Sequence, residues 1–320
     1  MRIINLIENT EGARGCICAH GLSFYIETGK HKLLFDMGPS EDTIKNAERL
    51  GVDLKAVDTV ILSHGHYDHA GGIMSFTEIN HEAAIYMQKT ATGDYYADDG
   101  EKAGTDRYRY IGIDKRLDGL CQTKLIDGNC RIDDELELFT IDKRAYDLPF
   151  TNKRLMVRRG NEYICDDFCH EQYLVIKEGD RRILLSGCAH NGILSIMDAF
   201  CSRYGREPDV VISGFHLMKK SGYKDDEIGE ILDIAKALKK YNTQFITCHC
   251  TGVPVYEVMK GILGEQLLYV HSGEDVPLNS QYAEKVTKRR STAFMKFHKF
   301  FAWSTVVCFI ITMLTGYKKK

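Results

Sequence analysis

The 320-residue sequence predicts a large α/β domain built from two strand-rich halves, each covered by helices, and a compositionally distinct C-terminal tail. Three observations carry this reading. Short apolar, β-branched runs bounded by Gly, Asp and Lys recur in two series. Stretches of helical periodicity lie between them. The composition, 44% hydrophobic and 27% charged, supplies a substantial core and excludes a wholly disordered chain.

The first series is RIINLI, LSFYIET, KLLFDMG and DTVILS. The second begins near residue 135, with ELELFT, QYLVIK, RRILLSG, DVVISG and TQFITC. In DDEIGEILDIAKALKKY, Ile228, Ile231, Leu232, Ala235 and Leu238 recur at helical spacing with charges elsewhere. No short-period repeat is present. Residues 93–120 are rich in Gly, Asp, Tyr and Arg and lack a clear period, so they are expected to form an exposed connection or lid between the halves.

The net charge of −3 offers no electrostatic footprint for nucleic acid, so no such partner is expected. The opening MRIINLIENTEG lacks the apolar core of a signal peptide. The eleven cysteines are therefore expected to be mostly reduced thiols of a cytoplasmic domain.

Chemistry collects at the ends of the predicted strands. DTVILS runs into His64, RRILLSG into Cys188 and His190, DVVISGF into His216, and TQFITC into His249. Side chains at the carboxyl ends of strands converge on one crevice in α/β folds. A single histidine there is commonly a structural one. Four strand ends, with the Asp68–His69 pair added, are hard to explain as packing. His64 and His66, two residues apart, can point the same way on an extended turn. Gly71 and Gly72 permit tight backbone geometry beyond Asp68 and His69. Imidazole and carboxylate suit Zn²⁺, and two ions about 3.5–4 Å apart can share one hydroxide.

The pattern His64-X-His66-X-Asp68-His69 resembles the metal motif of the metallo-β-lactamase-fold hydrolases. HGLSFYIETGKHKLLFDMGPS is similar to the first strands of that superfamily, with Asp36 as the motif aspartate. LLSGCAHNGI, ISGFHL and CHCTG are similar to a subgroup named after 7,8-dihydropterin-6-methyl-4-(β-D-ribofuranosyl)aminobenzene-5'-phosphate synthase. The resemblance covers residues 1 to about 278. It implies an αββα sandwich with a dinuclear site on its open edge. His64, His66 and a third histidine are implied for one metal, and Asp68, His69 and His249 for the other. The third histidine is His190, whose strand end matches the subgroup motif, or His170 upstream in CHEQYLVI. Cys188 stands where many members carry a bridging aspartate, and as thiolate it can bind metal. A small buried residue is the plain alternative.

Asp36 is expected to orient ligands rather than bind metal. His216 is a candidate substrate contact or acid, and His20 a candidate rim residue. Strand alternation turns Cys248 and Cys250 away from His249, so both are expected to pack. Cys16/Cys18 and Cys165/Cys169 lack partners at zinc-finger spacing.

Residues 279–299 read as a basic linker. Phe300–Tyr317 is uncharged for 18 residues, at the short limit of the about 20 that span a bilayer, and reads as a membrane anchor or as a helix lying on the membrane or packed on a partner. Residues 1–278 are then a catalytic domain held at a membrane on the cytoplasmic side. The expected function is hydrolysis by two Zn²⁺ and a bridging hydroxide. The substrate is a small, phosphorylated or pterin-type molecule, with ester and phosphoester bonds both open, and Asp68 and His216 serve catalysis. The alternatives are a di-iron redox enzyme and a non-catalytic, membrane-tethered metal-binding module. Flavin-linked members carry glutamate in the position of His66, which argues against the first, and the complete ligand set argues against the second.

Overall fold

In the computed structural model, which describes residues 1–101 and 106–278, the two series of apolar runs become two sheets that share a buried layer. The first sheet has the order Arg2–Ile7, Ser23–Glu27, Lys32–Phe35, Thr59–Ile61, Ala84–Gln88 and Thr123–Ile126. Its first three strands pair antiparallel, and from Lys32–Phe35 onward the neighbours are parallel. The second sheet has the order Leu267–Tyr269, Gln244–Thr247, Val210–Ser213, Arg181–Ser186, Tyr173–Glu178, Leu136–Phe139 and Cys130–Arg131. Its first four strands are parallel and the rest antiparallel.

The strand sequences are nearly continuous in apolar residues because both faces are covered. Leu174 and Ile176 enter the layer between the sheets, where they meet Phe24, Leu33, Phe35 and Ile61 of the first sheet. Their neighbour Val175 faces the other way, into a helix-covered layer with Ile196, Phe200, Ile231 and Met259. That outer layer is closed by the helices Ile193–Tyr204, Asp225–Leu238 and Val253–Leu263. Ile231, Ala235 and Leu238 are the buried stripe that the periodicity predicted. Helices Asp42–Arg49 and Ile73–Thr77 cover the first sheet through Ile44, Ala47, Ile73 and Phe76. The layers are thus helix, sheet, sheet, helix.

Residues 93–120 differ from the expected unstructured connection. Tyr95–Asp98 and Tyr108–Tyr110 pair with each other and join Leu155–Arg159 and Glu162–Cys165 in a four-stranded antiparallel sheet. Tyr95 and Ala97 are buried against Ile111, Leu155 and Phe168. The alternation is too short to read in the sequence, and the strand that completes it lies about sixty residues downstream.

No helix among the described residues is long and apolar enough to cross a membrane. The basic linker 279–299 and the candidate anchor 300–317 lie outside the described residues. Met1–Leu278 forms one unit by itself.

Candidate metal centre

Parallel neighbours end on the same edge, so the topology gathers the strand ends that carry chemistry. Lys32–Phe35 leads into Asp36 and Thr59–Ile61 into Ser63–His66, while three parallel strands of the second sheet lead into Cys188–His190, His216 and His249. The backbone bends sharply there. Asp36, Ala189, His216 and His249 all have positive φ, between 49° and 60°, a conformation side chains rarely adopt away from functional sites. Gly71 and Gly72 have negative φ, so the tight backbone geometry expected of them does not come from a left-handed turn. What they provide is close approach, since a Cβ on either would overlap the carbonyls of Pro39 or Met37.

Hydrogen bonds assign the tautomers of four imidazoles. Ser63 Oγ donates to Asp36 Oδ2 (2.7 Å), so it accepts from His64 Nδ1 (2.8 Å). His69 Nδ1 donates to the same Asp36 oxygen at 2.7 Å. His190 Nδ1 donates to Asn152 Oδ1 at 3.0 Å, and His249 Nδ1 to Asn9 Oδ1 at 2.8 Å. In the neutral form of each ring Nε2 is the lone-pair nitrogen, and all four point inward. They meet in two pairs: His64 and His190 Nε2 are 3.2 Å apart, and His69 and His249 Nε2 are 3.3 Å apart. Two donors at about 2.0–2.1 Å from one tetrahedral ion lie about 3.4 Å apart, which is the spacing of both pairs.

Each pair has further donors beside it. His66 joins His64 and His190 in one cluster of potential ligand atoms, and its Nε2 is buried without a hydrogen-bond partner. Beside the other pair, Cys188 Sγ is 3.2 Å from His69 Nε2, and Asp68 Oδ2 is 3.5 Å from His249 Nε2. The donor chemistry fits two divalent cations, and every held ring nitrogen has the supporting acceptor that ligating histidines require.

The electrostatics agree. Burial and the neighbouring rings push His64 and His190 well below the usual histidine pKa, and His66 down to about 3, so these three offer free lone pairs at neutral pH. Burial also works against a charged His69, but the Asp36 and Asp68 carboxylates outweigh it and hold its pKa up at about 9. A cation taking that proton's place meets the same two carboxylates. Burial opposes the charge on Asp68, but His69, His249 and His20 hold its carboxyl well below the ordinary range.

His170 has no lone pair to offer. Its Nδ1 accepts from the Gly65 N–H (2.9 Å) and its Nε2 donates to Asp166 (3.1 Å), so it braces the His64–His66 loop from behind. His190→Ala is therefore expected to lose about one equivalent of bound metal and His170→Ala none, as read by metal analysis of the purified variants. Loss confined to His170→Ala would reverse the assignment.

The remaining expected residues fall around this centre. His216 is half-buried, its ring 4.1 Å from that of His190, and its Nδ1 is buried and unpartnered. His20 is half-exposed with Nε2 3.4 Å from Asp68 Oδ2. Cys248 packs between the sheets. Cys250 departs from expectation: His249–Thr251 is a 3₁₀ turn, not strand, so alternation fails and Cys250 lies beside Cys188 and His249. Cys16, Cys18, Cys165 and Cys169 are free thiols.

Several supporting residues carry no sequence signal. Buried Glu171 accepts from the His190 and Asn191 N–H groups at 2.6 and 2.9 Å, and buried Glu8 accepts from the His249 N–H at 2.9 Å. Asn9, Asn152 and Asp166 likewise act on residues far along the chain.

Comparison with known proteins matches residues 17–227 to the family described as the metallo-beta-lactamase superfamily. An uncharacterized protein of Methanocaldococcus jannaschii is 27% identical over 279 residues, covering 84% of this chain and 97% of that protein. The 7,8-dihydropterin-6-methyl-4-(β-D-ribofuranosyl)-aminobenzene-5'-phosphate synthase of the same organism is 29% identical over 273 residues, covering 80% and 88%. A solved metal-dependent hydrolase of the β-lactamase superfamily is 28% identical, with a TM-score of 0.71 over 86% of this chain and 98% of that one. A metallo-β-lactamase-fold protein from Bacillus subtilis shares the fold at 16% identity and a TM-score of 0.50, over 86% of this chain and 98% of that one.

Proposed function

The chain belongs to the metallo-β-lactamase superfamily, and from that premise we propose that it is a hydrolase using two zinc ions on a small phosphorylated molecule. The observation that carries this reading is the two inward-facing Nε2 pairs, 3.2 and 3.3 Å apart, each with further donors at its side. His64, His66 and His190 would hold one ion, and Asp68, His69, His249 and Cys188 the other. Divalent metal there supplies Lewis acidity and brings the pKa of a water molecule near neutrality.

The chain's own residues do the rest. Asp36 fixes the tautomer of His69 directly and of His64 through Ser63. Asp68, ionised and almost fully buried, orients the nucleophilic water and accepts its hydrogen bond. His216, half-buried with an unpartnered ring nitrogen and its ring 4.1 Å from that of His190, is the proposed proton donor to the leaving group.

The fold does not choose a substrate class. The 5'-phosphate in the name of the synthase relative supports a phosphorylated small molecule as the substrate. The test is a metal count on protein purified without added metal, followed by a screen of phosphodiester, carboxylic ester and lactam substrates. Turnover of phosphoesters that disappears on chelation is expected. A protein with both ions bound that turns over none of the three classes would overturn the reading.

Residues 300–317 are proposed to hold this domain at a membrane, on the cytoplasmic side. The full chain is then expected in the membrane fraction and a chain ending at Leu278 in the soluble fraction with its metals retained. Recovery of the full chain without detergent would remove the anchor.

A further inference from the structure

We propose that Cys250 is a second thiolate ligand beside Cys188, so that the metal position between His69 and His249 is completed by two sulfurs. This deepens the proposed metal site and rests on it. Nothing in the hydrolase reading uses Cys250, and strand alternation assigns it to packing.

The backbone is what brings it in. Adjacent residues of a strand point to opposite faces, so His249 and Cys250 could not both serve one site if Gln244–Thr247 simply continued. The strand stops at Thr247, His249 takes a φ of 50°, and His249–Thr251 forms one 3₁₀ turn. The two neighbours then converge: a ring nitrogen of His249, Cys188 Sγ and Cys250 Sγ all lie within 4.8 Å of one another. All three residues are buried.

The surroundings of the sulfur suit a thiolate. The His216 N–H points at Cys250 Sγ from 3.3 Å, a donor of the kind that stabilises negative sulfur. Space for the sulfur comes from Gly214, where any Cβ would overlap Cys250 Sγ. Gly214 is held there by its N–H bond to the Gly187 carbonyl at 2.9 Å. A buried sulfur that only filled space would need neither the strained turn nor the aimed donor. Cys250 is placed to donate its thiol proton to the Cys188 carbonyl at 3.5 Å. On binding, each thiol releases its proton to solvent and one sulfur–metal bond forms in its place, with no change of oxidation state.

Two sulfurs added to the imidazoles and the Asp68 carboxylate make this position softer than the neighbouring three-histidine position. It should take Zn²⁺ or Co²⁺ in preference to Mn²⁺ or Mg²⁺, and the two positions should fill with different metal preferences.

The experiment is cobalt substitution of the full chain, read by thiolate-to-cobalt charge-transfer absorption, which oxygen and nitrogen ligands do not produce. The wild type should show the band. Cys250→Ser should weaken it by roughly half, Cys188→Ser should leave a residual band, and the double variant should have none. An unchanged band in Cys250→Ser, or none in Cys188→Ser, would overturn the proposal. If Cys250→Ser does not fold, zinc-edge X-ray absorption of Cys188→Ser decides: sulfur at about 2.3 Å must then come from Cys250, and its absence refutes the assignment. The readout does not involve turnover. A sulfur-bound metal without hydrolysis leaves this proposal standing and removes the hydrolase reading, and hydrolysis without the Cys250 signal does the reverse.

Discussion

Replacing Asp68 with Asn should lower kcat on the best phosphoester of the screen by about 10²–10³-fold while the protein stays folded. The substitution keeps the shape and removes the charge. Asp68 is buried, and its Oδ2 lies 3.4 Å from His20, 3.5 Å from His249 and 3.8 Å from His69. It is the carboxylate among the proposed donors of the second metal position, so its loss weakens that ion and leaves the His64–His66–His190 position filled. Metal analysis should therefore show a fall from two equivalents toward one. Steady-state kinetics on the same preparation give the rate. Wild-type turnover in a variant that retains one equivalent would rule out the dinuclear mechanism.

Asp36→Ala should have the larger effect on the fold. Its carboxylate is wholly buried and accepts from the Ser63 N–H, the Ser63 hydroxyl and His69 Nδ1, each at 2.7 Å. Removing it strands two buried donors and takes the carboxylate from a histidine it holds in the charged range. Loss of one partner of a buried pair of this kind costs about 3–5 kcal/mol. Alanine also fits the positive φ at this position, 60°, poorly. Denaturant unfolding of the metal-free protein should show a stability loss of that size. Among molecules that remain folded, metal affinity should fall by about 10–100-fold, because His64 and His69 lose the group that sets their tautomers. Asp36→Asn should recover part of the stability, since its amide oxygen can still accept from Ser63. Equal stability of Asp36→Ala and wild type would show that the three hydrogen bonds are not what holds the two loops together.

Much of the site is legible in the sequence because its ligands come in short-range clusters. His64, His66, Asp68 and His69 fall within six residues, and His190, His216 and His249 each follow a short apolar run that reads as a buried strand. A strand end is a local property, and parallel strands share an edge by topology alone, so convergence follows without knowing the packing. The αββα layering is likewise implied by the family resemblance, and the two-sided burial of Tyr173–Glu178 and its neighbours gives it a physical basis.

Other features depend on contacts that no local pattern encodes. The choice between His190 and His170 turns on hydrogen bonds: Asn152 leaves one lone pair of His190 facing the site, while Gly65 and Asp166 occupy both nitrogens of His170. Those partners include residues as far as 105 positions away. Residues 95–98 read as loop because their strand partner at 155–159 is remote. Strand alternation misplaces Cys250 because the rule holds only while the backbone stays extended, and the positive φ of His249 ends it one residue earlier. Sequence by itself determined which residue types reach the open edge of the sandwich. Tertiary structure alone decided which lone pairs face the centre, because a tautomer is set by the group on the far side of the ring, and that group is brought there by folding.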